Sequence, residues 1–299
     1  MGADLSYPVV DLTGKVAIVT GGNTGIGYET AKALATMGAH TIVACRSAER
    51  ATEALTRMQD EVRQEFPDKQ LNVEWMILNL ASFESTKQFV IAFKARNLQL
   101  HILINNAAIA LLQERTLTAD GYEQQFQASV PASIAGIAIY QHVLYIDWNP
   151  DNLNGELSYG PLKFYNNSKL YNILTSYALQ RRLPNMGITV SSLHPGVVDT
   201  DLNQHSKFFH LFALAVKHTG IARTPRDGAA TTINCAVNPQ LNSQQAHYYS
   251  DCHVTQSSDL SRDEAIQEQL WRKSVAIVKD YLSPDVLARY GETPEDVHH

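Results

Sequence analysis

Residues 15–27, Lys-Val-Ala-Ile-Val-Thr-Gly-Gly-Asn-Thr-Gly-Ile-Gly, restrict the fold of this chain more than any other stretch. An apolar run rich in Val and Ile reads as a buried strand, and glycines at 21, 25 and 27 lead straight into a helical pattern from Tyr28 to Met37. A strand, a tight turn and a helix start in that order leave backbone N–H groups and the positive helix end facing a common hollow. Side chains larger than hydrogen at the glycines would block the approach. The guest that suits such a hollow is the pyrophosphate of a dinucleotide, held by Gly21, Asn23, Thr24, Gly25, Ile26 and Gly27. Glycines also serve tight turns that hold nothing, so the turn must be read in its context.

That context is an alternation of strands and helices. Gly38 is a natural helix C-cap, and Ala39 to Cys45 reads as a second buried strand ending at Arg46-Ser47. An acid at that strand end would bind the ribose 2′-OH of NAD, whereas an arginine accommodates the 2′-phosphate of NADP. Arg46 therefore points to NADP; the alternative is a solvated surface arginine. A charged amphipathic helix over Ala48 to Phe66 precedes a third strand, Val73 to Leu78, then Asn79-Leu80 and Ser82, an N-cap for a helix to about Asn97. Leu100 to Ile104 is a fourth strand, ending in Asn105-Asn106-Ala107-Ala108. Such alternation implies an α/β fold, a doubly wound parallel sheet of Rossmann type flanked by helices in a single domain. Its ligands gather at the carboxyl ends of the strands, where the glycine turn, Arg46, Asn79 and Asn105 all fall.

Composition narrows the function. With 44% hydrophobic and 18% charged residues among 299, the chain has the material for a globular core. A net charge of −6 without a basic tract argues against a nucleic-acid partner. Cys45, Cys235 and Cys252 are scattered and odd in number, which suits free thiols in a reducing, cytoplasmic setting. Met1 to Asp11 lacks the pattern of a signal peptide or anchor. Phe208 to Val216, between Lys207 and Lys217, is apolar but far shorter than the roughly 20 residues a spanning helix needs, so a membrane surface or a lid pressed on the core explains it equally well. The histidines form no paired ligand spacing, and no metal site is expected. Residues 1–10 read as an extension, 11–282 as the dinucleotide-binding and catalytic domain, and 283–299 as a loose tail.

Further along, Tyr165 and Lys169 are four apart in a helical run from Lys163 to Arg182 and so share a face. A phenol of pKa about 10 is too weak a base at neutral pH, and an adjacent ammonium favours its phenolate. The apolar strand Ile188 to Leu193 runs into His194, which reads as structural, and Pro195-Gly196-Val197-Val198-Asp199-Thr200. Asp227 to Val237 reads as a helix, Ala246 to Ser250 as a short last strand, and Ser261 to Leu282 as a closing amphipathic helix.

Thr20-Gly-Gly-Asn-Thr-Gly-Ile-Gly27, Asn105-Asn-Ala107, Tyr165-Asn-Asn-Ser-Lys169 and the stretch from His194 to Thr200 stand in the order found in short-chain dehydrogenases/reductases. Within that superfamily the chain most resembles the branch of retinol dehydrogenases and WW-domain oxidoreductases, through Ala44-Cys-Arg-Ser47, Asp151-Asn-Leu-Asn-Gly-Glu156 and Leu193-His-Pro-Gly196. The likeness extends from about Asp11 to about Leu282. It implies an NADP(H)-dependent oxidoreductase that interconverts an apolar alcohol and carbonyl of retinoid, steroid or lipid type. It also implies a cofactor contacted by Asn79, Leu80, Asn105, Ala107, Pro195, Gly196, Val198 and Thr200 besides the glycine turn and Arg46. Tyr165 would exchange the substrate proton, and Lys169 would hold the nicotinamide ribose. Residues 204–222 would be the variable lid, offering Phe208, Phe209, Leu211, Phe212 and Leu214 to an apolar substrate, and long helices would pair two copies in a homodimer.

The chain departs from that pattern between residues 126 and 156. Ser129 stands where the family has an asparagine and Ala132 where it has glycine, and Pro131 is expected to break or restart the fifth helix. His142 to Asp147 could be the fifth strand, yet it ends in Asp147-Trp148 where the family has the serine that bonds the substrate oxygen. Asn79 replaces a common aspartate, and Ala108 a common glycine. Two readings follow: an active enzyme in which another donor, Ser129 or Ser158, replaces the serine, or a catalytically impaired homologue that senses cofactor or binds other proteins. A third takes residues 128–150 as the product of splicing or assembly of the message.

Overall fold

The computed structural model describes residues 5–109, 112–133, 137–139, 148–183, 186–198, 222–241 and 247–289. Its first half alternates strictly: β1 (Val16–Thr20), α1 (Gly25–Thr36), β2 (His40–Cys45), α2 (Ala48–Glu65), β3 (Val73–Ile77), α3 (Phe83–Lys94) and β4 (Ile102–Asn105). Then come α4 (Gln124–Ser133), β5 (Ile137–Ile139), α5 (Pro161–Arg182), β6 (Ser191–His194), α6 (Pro225–Val237), β7 (His247–Ser250) and β8 (His253–Thr255). Among the described residues there follow α7 (Asp259–Arg262), α8 (Glu264–Val278) and α9 (Pro284–Arg289).

The strands form one sheet in the order β3-β2-β1-β4-β5-β6-β7-β8. Every pairing is parallel except the β7–β8 hairpin. The chain reverses its direction of growth between β1 and β4, where Ile18 pairs with Ile42 on one side and Leu103 on the other. A strand in that position is covered on both faces, which explains why β1 reads as an unbroken apolar run rather than an alternating one. Ala17 and Val19 pack with Leu34 of α1 and Ile233 of α6. Val16 and Ile18 pack on the opposite face with Phe89 and Phe93 of α3.

Two packing features set the site. At Gly228, in the first turn of α6, an added Cβ would lie 2.6 Å from Val198 Cγ2 and 3.2 Å from Ile26 Cγ1. Hydrogen at that position lets α6 press both the glycine turn and the loop after β6 into place. In α5 every residue from Phe164 to Ser176 is buried. Its polar members bond backward along the helix, Ser168 to the Tyr165 carbonyl at 2.7 Å and Ser176 to the Asn172 carbonyl at 2.9 Å. A helix buried all round needs neighbours on every side, and α5 finds them in α4, the sheet and α8. The long helix through which pairing is expected thus packs extensively against its own chain.

Several expectations are corrected. The strand between β4 and β6 is Ile137–Ile139; His142–Asp147 lies outside the described residues. Helix α4 continues through Pro131 to Ser133, since a proline so near the C-terminus removes only one late hydrogen bond. The closing helix is interrupted at Asp263, whose extended backbone and carboxylate cap the fresh start, accepting from Ala265 N at 2.9 Å and Ile266 N at 3.2 Å. Beyond β7 a further strand, β8, forms across a turn in which Asp251 and Cys252 both adopt positive φ, 53° and 64°. Such turns favour Asn-Gly, so Asp-Cys gives no signal in sequence. From Ser283, read as a loose tail, the chain forms α9, whose Leu287 packs on the cluster around Trp271. Among the described residues no helix is long and apolar enough to cross a membrane.

Candidate active site

The glycine turn and the end of β4 are stitched together across the point where the sheet reverses. Thr20 Oγ1 accepts the N–H groups of Asn106 and Ala107, each at 3.0 Å. The Asn106 side chain in return donates to the carbonyls of Thr20 at 2.9 Å and Gly21 at 3.3 Å. Gly21 turns the chain at φ 63°. A Cβ on Gly27 would run into the Asn106 amide nitrogen and lie 2.5 Å from the Gly21 carbonyl oxygen. The start of α1 is thereby held tight against the turn.

That start carries no side-chain cap from Thr24 and no acid in its first turn. Helices α2, α3, α6 and α8 are each capped by their own side chain, Ser47, Ser82, Thr224 and Asp263. The first N–H groups of α1 thus lack the side-chain acceptor that those helices have, at a terminus whose dipole favours an anion.

The uncapped end opens into a cleft of about 680 Å³, within the size range of about 300–1,000 Å³ usual for small-molecule sites. Gly21, Asn23, Thr24, Gly25 and Ile26 form its waist. Arg46, Ser47, Arg50, Glu53 and Arg57 line it on the β2–α2 side, with Asn79 and Leu80 following β3. Ala107, Tyr165, Lys169, Pro195 and Val198 line it on the β4–β6 side. One hollow therefore joins residues that stand far apart in sequence. A dinucleotide fits the donors present: an uncapped helix start at its middle and arginines at one end.

Tyr165 and Lys169 sit one turn apart on α5, 8% and 6% exposed. The Lys169 Nζ lies 5.1 Å from the Tyr165 ring centroid. Burial pushes the phenol well above its ordinary pKa and draws the lysine amine down to about 8. The expected lowering of the phenol by its neighbour is thus outweighed by desolvation.

Three residues expected to touch cofactor are not in the cleft wall. Gly27 serves the helix–turn packing described above. Asn105 ends β4, and its neighbour Asn106 supplies the stitching instead. Gly196, at φ 85°, faces Arg223, whose Cδ would lie 2.6 Å from an added Cβ. That arginine donates to the Pro195 carbonyl at 3.2 Å and pairs with Asp251 at 2.6 Å, bracing the loop from below. Thr200 and the apolar segment 208–216 lie outside the described residues.

The two serines considered as replacement donors are elsewhere. Ser158 Oγ accepts from Asn152 Nδ2 at 3.2 Å within a loop knot, and Ser129 is buried on α4; neither lines the cleft. Sequence reasoning missed Arg50 and Arg57. The available signal was their seven-residue spacing on α2, which with Ala54 puts them on one helical face directly after Arg46.

A family model described as short chain dehydrogenase matches residues 15–145. Human WW domain-containing oxidoreductase is 36% identical over 302 residues, spanning 91% of this chain and 70% of the relative. Human retinol dehydrogenase 11 is 36% identical over 88% of this chain and 85% of its own length, and human polyprenol dehydrogenase 35% identical over 87% and 84%. Among solved structures, an uncharacterised protein from Mycobacterium Paratuberculosis superposes with a TM-score of 0.70 at 23% identity, covering 91% of this chain and 96% of that one. A short chain dehydrogenase from Burkholderia cenocepacia J2315 in complex with NADP gives 0.59 at 24% identity, over 80% and 98%. These structural likenesses speak for the fold, and the sequence relatives for the lineage. The chain belongs to the short-chain dehydrogenase family of oxidoreductases, on the branch that holds the retinol dehydrogenases and the WW domain-containing oxidoreductases.

Proposed function

We propose that this protein binds NADP(H) along the cleft and interconverts an apolar alcohol and its carbonyl. The observation that carries the reading is the continuity of that cleft, from three arginines past an uncapped helix start to the buried Tyr165–Lys169 pair. When bound, the nicotinamide exchanges a hydride with the substrate carbon.

The residues of this chain do the rest. Arg46 and Arg50 supply guanidinium groups for a 2′-phosphate, and their fork geometry suits its oxygens. The first N–H groups of α1 receive the pyrophosphate. Asn79 and Leu80 flank the adenosine side, and Ala107, Pro195 and Val198 the nicotinamide side. Tyr165 keeps its proton at neutral pH because burial disfavours the phenolate, so it is poised as a general acid toward a carbonyl oxygen. Lys169, with an amine near pKa 8, changes charge close to physiological pH beside that phenol. Ile109, Leu112 and Ala128 give the cleft apolar wall near α4, which supports an apolar substrate. The sequence of 208–216 adds to that support.

NADPH and NADH titrations followed by fluorescence, then a panel of retinoid, steroid and simple aldehyde or ketone substrates, test the proposal. Tighter binding of NADPH and turnover that Tyr165→Phe abolishes are expected. Equal affinity for the two nucleotides would remove the NADP assignment, and binding without any turnover would favour the impaired homologue.

A further inference from the structure

Arg57 enters the cleft wall from a position outside the family motifs quoted above. It lies seven residues beyond Arg50 on α2, with Ala54 between them on the same face, and all three line the cleft. Its guanidinium carbon lies 4.1 Å from the centroid of the Tyr28 ring. Tyr28 is 4% exposed and follows Gly27 directly in the first turns of α1. The platform under Arg57 thus belongs to the helix whose start faces the expected pyrophosphate.

The surrounding charges keep Arg57 available to an anion. Its nearest acid contact is long: Arg57 Nε stands 3.9 Å from Glu61 Oε1. The other Glu61 oxygen is taken by Lys32 at 2.6 Å, and Lys32 also pairs with Glu29 at 2.9 Å. Glu61 therefore divides its charge between two cations. Contact with one ring occupies only part of a guanidinium that carries five N–H donors, so anion binding is compatible with it. An arginine held against a ring also has less rotational freedom to lose on binding than a free one. The opposing influence is Glu53, which lines the same wall one turn earlier.

We propose that Arg57, mounted on Tyr28, is a third phosphate-directed side chain that acts with Arg46 and Arg50 to select NADP(H) over NAD(H). The assignment rests on the NADP reading above and adds to it a specificity-determining residue on the flank of α2.

The test is binding of the intact protein, by fluorescence titration with NADPH and NADH and by competition with 2′,5′-ADP and 5′-ADP. Arg57→Leu should weaken NADPH and 2′,5′-ADP by on the order of tenfold, the scale of one charge-assisted hydrogen bond, while NADH and 5′-ADP hold their affinity. Arg57→Lys, which keeps the charge but not the fork, should fall between, and the melting temperature of each variant checks its fold. Equal weakening of ligands with and without the 2′-phosphate in a folded Arg57→Leu, or no weakening of either, overturns the role of Arg57 even where Arg46→Ala weakens NADPH. A wild-type protein that binds neither nucleotide overturns this assignment together with the reading beneath it.

Discussion

Proton inventory is decided side chain by side chain. Tyr165 is pushed up by burial and stays a phenol across the working range, while Lys169 is drawn down to about 8 and loses its charge within that range. If the ammonium assists proton delivery, kcat/KM for carbonyl reduction is level below that point and falls as pH rises through about 8. Lys169→Met should lower the rate and flatten the profile; a profile with the same inflection in the variant would assign the titration elsewhere. Gly27 belongs to the same scale. Its hydrogen is all that the Asn106 amide and the Gly21 carbonyl leave room for. Gly27→Ala should therefore weaken NADPH binding at least tenfold by displacing the turn, with a loss of about 1–3 kcal/mol in unfolding free energy. Asn106→Ala removes the donor that ties that turn to β4 and leaves two carbonyls without it, a cost of about 1–3 kcal/mol seen in urea unfolding. Of these residues the phenol and the lysine were brought together by motif spacing, whereas Gly27, read as a cofactor contact, serves the packing of helix on turn. Asn106 was not, because which of two adjacent asparagines turns toward β1 depends on the strand's pleat and end rather than on residue type.

At the scale of elements, the placement of α5 depends on how α8 is fastened to it. Glu268 of α8 takes Arg182 Nη2 at 2.6 Å and Arg181 Nη2 at 2.6 Å, both near the C-terminus of α5. Those hydrogen bonds, with Arg182 first, hold its carboxyl down to about 2. A folded-state pKa below the unfolded one contributes stability at pH above the ordinary carboxylate value, and the contribution fades as pH falls through about 2. Glu268→Gln should accordingly cost about 2 kcal/mol at pH 7, with the difference from wild type shrinking steadily below about pH 4.5, as read from denaturant midpoints. A pH-independent difference would mean that packing rather than charge joins the helices. Most elements were legible because period 2 and period 3.6 survive in the sequence: β1, β2, β3, α2 and α6 fall within a few residues of their expected bounds. The break at Asp263 was not, since its neighbours carry the apolar period straight across it. Nor was β8, whose positive-φ turn uses residues that rarely announce one.

For the whole molecule, the reversal of strand order between β1 and β4 creates the hollow, and the helices on either side of it supply arginines, helix N–H groups and the buried pair. A ligand spanning that hollow touches β2, α1, β4, α5 and the β6 loop at once, so its binding should stabilise the fold as a unit. NADPH at about a hundred times its Kd should add ~2.7 kcal/mol and raise Tm by roughly 5 °C, more than NADH at equal concentration. No shift with either would argue against a dinucleotide in the cleft. The alternation of apolar strands with amphipathic helices, the glycine spacing and the four-residue step from Tyr165 to Lys169 are local properties, written in residues that are neighbours along the chain. They determined the α/β architecture, and they carry the guest and the reacting pair proposed above. Tertiary structure alone decided that Arg57 reaches the cleft on the Tyr28 ring, that Asn106 stitches the turn, and that desolvation outweighs the lysine's influence on the phenol. Each of those depends on which distant segments meet and on how much water they exclude, and neither quantity is carried by residue order alone.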